Sequence, residues 1–368
     1  MFDYAIVGSG LFGATFAYEA SKAGKKCLVI ERRPHIGGNC YTKNIYGIDV
    51  HMYGAHIFKT DSKETWDYIN QFAVFNDFIN TPVAISKGEA YNLPFNMNTF
   101  ARIFGITKPR EAMCLIAIEK KSSICNPHNL EEKALMTVGP TIYNRFIRGY
   151  TEKQWGKPCS QLPTSILNDI PIRYTYNNNY YDKRYQGVPI GGYTNIIRKM
   201  LESSRVVTNT SFEQSLCSNA FKARKIIYTG AIDEYFDYAL GKLEYRSLKF
   251  VHTYKEVSNE NGVAVMNFVD SDVPYTRVIE HKHFCNQQSD KTVLTYEYPK
   301  EFTGKDDAYY PIEDKRNREL YQKYAEMAKE KLGDSVIFCG RLGSYHYDDM
   351  SECIENARKL AMEELKRE

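Results

Sequence analysis

No stretch of this 368-residue chain stays apolar for long, and its nine cysteines include no Cys-x-x-Cys pair. The first absence argues against a membrane span, which needs about 20 consecutive apolar residues. The second removes the common zinc and dithiol spacings, and an odd cysteine count fits free thiols in a reducing compartment better than a disulfide framework. An excess of one charge is also missing. The formal net charge is +3, too small on this length to argue for nucleic acid or an anionic membrane surface. Internal repeats, low-complexity tracts and a second dinucleotide fingerprint are absent too. The first apolar run begins almost at Met1 and leaves no room for a secretory signal, so a cytoplasmic location is expected. Tyrosine, by contrast, is abundant. Most of the 29 tyrosines must stand in for phenylalanine in half-buried strands, but an apolar ring with a polar tip also suits stacking on bases and hydrogen bonding to sugars or phosphates.

The informative stretch starts at Tyr4. Tyr4 to Val7 reads as a buried strand, Gly8-Ser9-Gly10-Leu11-Phe12-Gly13 follows with G-x-G-x-x-G spacing, and a helical stretch from Ala14 to Ala23 ends at Gly24. Cys27 to Ile30 form a second strand that ends in Glu31, about 20 residues beyond the glycines, where an acid binds a ribose hydroxyl. In this arrangement Gly8 permits the tight turn, Gly10 lets backbone approach a pyrophosphate, and Gly13 lets helix and strand pack closely. The amides at the helix start favour the negative charge of a diphosphate. The strand-to-helix context is what gives the motif weight. Its continuation, Glu31-Arg32-Arg33 and then Gly37-Gly38-Asn39, resembles the second fingerprint of FAD-binding proteins of the glutathione-reductase and amine-oxidase type. That resemblance implies an FAD cofactor.

Further along, Trp66, Ile69 and Phe72 give Asp61 to Phe75 helical spacing, and Thr81 to Phe95 look extended. Asn98 to about Gln154 reads as helical in several pieces, with Asn129 and Glu132 as a capping pair and a break at Gly139-Pro140. Residues 161–193, rich in proline, asparagine and tyrosine, read as loop, and loops carry function more often than cores do. From Glu244 to Tyr298 the apolar period drops to two, as in antiparallel strands. A charged helix from Asp314 to Leu332, a buried strand from Val336 to Cys339 and a last helix from Asp349 to Lys366 suit a return to the nucleotide-binding domain. His56, met alone, reads as a structural hydrogen-bonder.

Taken together, YGAHIF, LPFNMNTF, GYTEKQWG, LEYRSLKF, VPYTR, IEHKHF, YYPI and GRLGSYHYDDM resemble bacterial UDP-galactopyranose mutases over essentially the whole chain. The resemblance implies an α/β architecture: a discontinuous Rossmann-like FAD-binding domain (1–75, about 194–240 and 312–368), an inserted helical bundle (about 96–155) and an antiparallel β-sheet substrate domain (about 76–95, 156–193 and 241–311) with a mobile loop near 160–185. It implies an isomerase that interconverts the pyranose and furanose forms of a nucleotide-diphosphate sugar, UDP-galactopyranose by default. Catalysis is covalent, through N5 of reduced FAD, with no net redox change. A homodimer, a cellular reductant (NADPH or an electron-transfer protein) and a product destined for furanose-containing polysaccharide come with it; no metal does. By residue, Gly8, Gly10, Phe12, Gly13, Glu31, Arg32, Gly38 and Asn39 hold the dinucleotide, and Arg341, Asp349, Met350 and His56 lie near the flavin. Asn80, Tyr150, Trp155, Tyr180, Tyr310, Tyr347 and Lys59 contact substrate. Arg277, Arg173 and His56 are the catalytic candidates, Arg277 through a planar fork suited to phosphate oxygens. Without the surrounding motifs, Arg277 is a surface charge on a strand and Trp155 a core residue.

Two positions depart from the family pattern. Asp169 stands where these mutases carry the loop arginine that closes on the diphosphate, so that only Arg173 remains of the usual pair. Lys59 stands where galactose-specific members have histidine and relatives acting on the N-acetylated sugar have arginine. One reading is a site re-dressed for another sugar or nucleotide, UDP-N-acetylgalactosamine or a dTDP-6-deoxy sugar, with a Lys59–Asp169 ion pair as one version. The other is a drifted loop with weakened or lost activity, and a chain kept as a sugar-nucleotide binder. A third class, an FAD-dependent amine-oxidase-like oxidoreductase, shares the N-terminal fingerprint alone.

Overall fold

Tyr4 and Ile6 are fully buried because Phe2–Val7 is the middle strand of a parallel sheet ordered Val336–Phe338, Ala223–Tyr228, Phe2–Val7, Cys27–Ile30, Arg205–Val207. A strand covered on both faces reads as an unbroken apolar run, which is what Tyr4 to Val7 shows. The computed structural model describes residues 1–120, 124–167, 172–217, 222–304 and 306–367; Asp169, and with it the suggested Lys59–Asp169 pair, lies outside them. The chain divides into two units. The first takes Met1–Asp77, Lys183–Tyr245 and Ala308–Glu368, and the second takes Phe78–Asp182 and Arg246–Asp307.

In the first unit the helices Leu11–Lys22, Tyr193–Met200 and Met350–Arg367 pack together over the sheet. The turn into the first helix depends on missing side chains. Gly8 takes φ of 100°, a Cβ on Gly13 would lie 2.1 Å from the Gly8 carbonyl oxygen, and one on Gly38 would lie 2.9 Å from Gly10 Cα. The helix expected over Asp61 to Phe75 runs only over Lys63–Asn70, opened by Ser62, whose hydroxyl accepts from the Thr65 amide at 3.1 Å.

The second unit joins helices to a sheet ordered Tyr245–Lys255, Thr292–Glu301, Arg277–Glu280, Val265–Phe268, Val83–Ser86, Glu89–Asn92. Its pairs are antiparallel except at Val265–Phe268 against Val83–Ser86, which run parallel. Those two strands come from different chain segments, so no hairpin dictates their direction. The helices are Met97–Phe104, Pro109–Glu119, Leu130–Ile142 and Arg148–Trp155. Phe100, Ile116, Leu130, Ala134, Val138 and Ile142 build their shared core. Asn129 caps the third helix by accepting from the Glu132 amide at 2.9 Å, while the Glu132 carboxylate takes the His128 amide, one residue short of a reciprocal box. Gly139, at φ 78° and ψ 172°, is non-helical and divides this run into two helices, the break expected at Gly139-Pro140.

Gly13→Ala is expected to destabilise the protein by about 1–3 kcal/mol, the usual cost of forcing atoms into a close-packed contact. Urea denaturation reads the loss; an unchanged midpoint would show that the first helix steps back from its strand at no cost.

Candidate active site

Each unit carries part of the candidate set. In the first, the helix Leu11–Lys22 starts without a side-chain cap and has no acidic residue in its first turn. Its leading amides, next to the backbone contact of Gly10 and Gly38, form a positive and roomy place for an anion. Glu31 is 4% exposed. One oxygen accepts from the Ser9 amide at 2.9 Å and the Ser9 hydroxyl at 2.6 Å, and the other accepts from the Arg33 amide at 2.9 Å. Its carboxylate thus braces the glycine turn itself. Arg33 donates twice to Asn39 Oδ1 at 3.1 Å and lies over the Tyr53 ring. Arg32 is exposed and partly offsets the upward push of burial on the Glu234 carboxyl. The basic residue turned toward the glycine pair is Arg33.

Also in this unit, His56 Nδ1 donates to the Gly54 carbonyl at 2.8 Å, which places a proton on Nδ1. Lys59, on the strand Phe58–Thr60, pairs with Asp349 at 2.6 Å. The second Asp349 oxygen caps the helix Met350–Arg367, accepting from the Ser351 and Glu352 amides at 2.9 and 3.1 Å. Burial pushes the Asp349 carboxyl up, but the Lys59 ammonium, with the Glu352 amide and the Ser351 hydroxyl, outweighs it, and the group ends below the ordinary carboxylate range. Arg341 donates to the Asp348 carbonyl at 2.9 Å and stacks over Tyr347, which in turn approaches Tyr310.

In the second unit, Tyr150, Thr151, Gln154 and Trp155 of the helix Arg148–Trp155 line a cleft of about 250 Å³ together with Leu93, Phe146, Tyr180 and Asn267. The Gln154 Oε1 atom is buried and has no hydrogen-bond partner among the described residues, as is true of Asn80 Oδ1. The Asn80 carbonyl accepts from the Tyr180 amide at 2.8 Å. Arg277 donates to Glu297 through Nε at 3.1 Å and Nη2 at 2.7 Å. Burial pushes the Tyr150 phenol up to about 12, with Arg277 pulling down and Glu297 pushing up. Tyr180 is raised by burial and offset by Arg277. Both therefore remain neutral donors at physiological pH. The Arg173 guanidinium donates to the Asn179 carbonyl and to the Tyr180 carbonyl at 3.4 Å.

Gln154 and Asn267 were absent from the sequence candidates. Gln154 had a signal, since it lies four residues after Tyr150 and so on the same helix face. Asn267 had none, because its place depends on the register of its strand against Arg277–Glu280.

Removing the Lys59 charge by Lys59→Met is expected to cost about 1–3 kcal/mol at neutral pH, the range for stranding a partly buried charged hydrogen-bond partner. A carboxylate with a depressed folded pKa contributes stability above its unfolded value and loses it as pH falls through the folded one. The gap between the wild type and the variant should therefore close below about pH 3.8, the ordinary aspartate value. Urea melts at neutral and acidic pH read this, and a gap independent of pH would rule out Asp349 as the group concerned.

A family model described as UDP-galactopyranose mutase matches residues 145–347, and one described as an NAD(P)-binding Rossmann-like domain matches residues 6–72. The chain is 37% identical over 367 residues to dTDP-fucopyranose mutase of Escherichia coli, covering 97% of this chain and 96% of that one. It is 38% identical over 365 residues to a probable UDP-galactopyranose mutase of Klebsiella pneumoniae, covering 98% and 94%. A solved structure of reduced UDP-galactopyranose mutase has the same fold, with a TM-score of 0.77 at 15% identity over 100% of this chain and 94% of that one. The chain therefore belongs to the UDP-galactopyranose mutase family, the flavin-dependent isomerases that interconvert the pyranose and furanose forms of nucleotide-diphosphate sugars.

Proposed function

We propose that the chain acts on a pyrimidine nucleoside diphosphate sugar, UDP-galactopyranose first, and that the cleft beside Gln154 takes the base. The observation that carries this is the buried Gln154 Oε1, without a partner among the described residues, on a residue that lines the same cleft as Tyr150 and Trp155. Uracil and thymine offer an imide N–H to such an acceptor and a flat face to the rings, whereas cytosine presents a lone pair at the same ring position. Leaving a buried acceptor unmet costs about 1–3 kcal/mol. A dTDP-6-deoxyhexose is the second reading, favoured by 37% identity to a dTDP-fucopyranose mutase. UDP-N-acetylgalactosamine stays a third arm of the test. The amine-oxidase-like alternative has only the shared dinucleotide fingerprint behind it.

The residues of the first unit fit FAD: Gly8, Gly13 and Gly38 leave no room for a Cβ against Thr229, the Gly8 carbonyl and Gly10, which keeps the turn tight, and the uncapped helix start suits its diphosphate. When bound and reduced, FAD supplies the nucleophile for the anomeric carbon. The chain's own residues bind and orient. Arg277, with its fork oriented by Glu297, neutralises the leaving diphosphate. Tyr150 and Tyr180 donate as phenols. Arg173 acts through the backbone, holding the segment that carries Tyr180. Tyr310 and Tyr347 are further phenol donors, and His56, Arg341 and Met350 belong to the flavin end. Lys59 is engaged by Asp349, so any sugar contact it makes is as one arm of an ion pair. A cellular reductant, a homodimer, a cytoplasmic location and delivery of the product to a surface polysaccharide complete the reading. Among the described residues no helix is long and apolar enough to cross a membrane.

Isomerisation by dithionite-reduced protein, followed by chromatography, tests the sugar. UDP-galactofuranose, its N-acetyl analogue and dTDP-fucofuranose are each run with an oxidised control. Conversion of UDP-galactofuranose fastest, and only after reduction, is expected; faster turnover of either other sugar replaces the default. UDP should also quench protein fluorescence about tenfold more tightly than CDP, a preference that Gln154→Leu abolishes. Equal affinity for UDP and CDP would remove Gln154 from base recognition.

A further inference from the structure

The base-cleft reading has no use for Lys153, although it lies between the cleft residues Tyr150 and Trp155. Its ammonium donates to the main-chain carbonyls of Phe268 at 2.8 Å, Asp270 at 2.7 Å, Val273 at 2.9 Å and Tyr275 at 3.1 Å. Phe268 ends the strand Val265–Phe268, and the other three lie in the connection from it to the strand Arg277–Glu280. One leg of that connection carries Asn267 into the cleft. The other carries Arg277, register-paired with Asn267.

The surroundings make this a built contact. Gly149, one helical turn earlier on the same face, lies against the same connection, and a Cβ there would sit 2.4 Å from the Val269 carbonyl oxygen and 3.3 Å from the Ser271 amide. The helix and the connection thus touch backbone to backbone. Behind the helix, Arg246, only 8% exposed, donates to the Gln154 and Lys153 carbonyls at 2.9 and 3.4 Å. On the far side of the connection, the Asp270 carboxylate accepts from the Lys87 amide at 2.6 Å and the Ser86 hydroxyl at 3.3 Å. Burial pushes the Lys153 ammonium down to about 8, with Asp270 and Asp272 pulling the other way. Burying an ammonium is a poor route to stability, since an apolar side chain of similar volume often does as well or better. What a multiply bonded ammonium adds is geometry.

We propose that Lys153 is a positioning residue for the mutase reaction, setting the distance between the base-binding face of Arg148–Trp155 and Arg277. The inference rests on the base-cleft reading above. Base and diphosphate are then read by one rigid surface, and a ligand that spans both gains the advantage of two joined contacts. A ligand that fills the cleft alone gains nothing from Lys153.

Uridine and UDP separate these cases, measured by fluorescence titration of the reduced, FAD-loaded enzyme. In Lys153→Met the affinity advantage of UDP over uridine is expected to fall about tenfold, as when two subsites lose their preset spacing, with uridine affinity unchanged. Gly149→Ala, which pushes the helix off the connection without touching the ammonium, should lower the same ratio and serves if Lys153→Met does not fold. FAD content and melting temperature check folding. A ratio unchanged in a folded variant, or both ligands weakened equally, overturns the positioning role. A wild-type enzyme that binds neither ligand overturns the base-cleft reading, and this inference with it.

Discussion

Close approach of bare backbone is the constraint from which both units are built. In the first, the Gly8–Gly13 contact lets the opening helix sit on its strand, and the Gly10–Gly38 contact brings the glycine turn and the later glycine pair of the same FAD fingerprint together. In the second, Gly149 does the same for the helix that lines the cleft. At each place a single methyl group would occupy the space of a main-chain atom, so the geometry is enforced by hard contact. Polar side chains then finish what the glycines begin: Glu31 ties the glycine turn, and Lys153 gathers the carbonyls beside Gly149.

This division explains what could be read from the sequence. The fingerprint was legible because its requirements are local: a strand, a turn, a helix start and an acid within one short stretch. The helix over Leu130–Ile142 was legible through Asn129, whose cap forms, and the one over Lys315–Leu332 through its charged, amphipathic pattern; that Asp314 caps it is seen only in the structure. Tyr150 and Trp155 came with a long motif. Other features were hidden for physical reasons. The partner of Lys59 lies 290 residues away, and no periodicity reports a contact of that span. The Lys153 acceptors are main-chain carbonyls, which every sequence has. Asn267 enters the cleft through strand register. Arg173 was placed by its motif, but its bonds go to the loop it belongs to.

Charge in this protein is used mostly for holding. Arg246, Lys153, Arg173 and Lys282 all donate to main-chain carbonyls, and Lys59 and Arg277 are each matched to one carboxylate. The small formal net charge of +3 thus conceals a strongly internal electrostatic architecture. Arg277 is the clearest case in the second unit. Glu297 is fully buried, so the arginine is held already oriented, and the rotamer entropy that a free side chain would lose on meeting an anion has been lost on folding.

The alternation of segments between the two units also governs the order in which a nascent chain can finish folding. The second unit is complete once Asp307 has been synthesised. The first must wait, because its sheet needs Val336–Phe338 alongside Ala223–Tyr228. The opening strand and its glycine turn are made first, yet they are enclosed last. During translation the N-terminal apolar run stays without its full set of neighbours while most of the chain is made, which is the interval when an unpaired edge is most exposed to wrong partners. Any ligand held by that turn would therefore meet its full surroundings only after the residues of the second unit have been made.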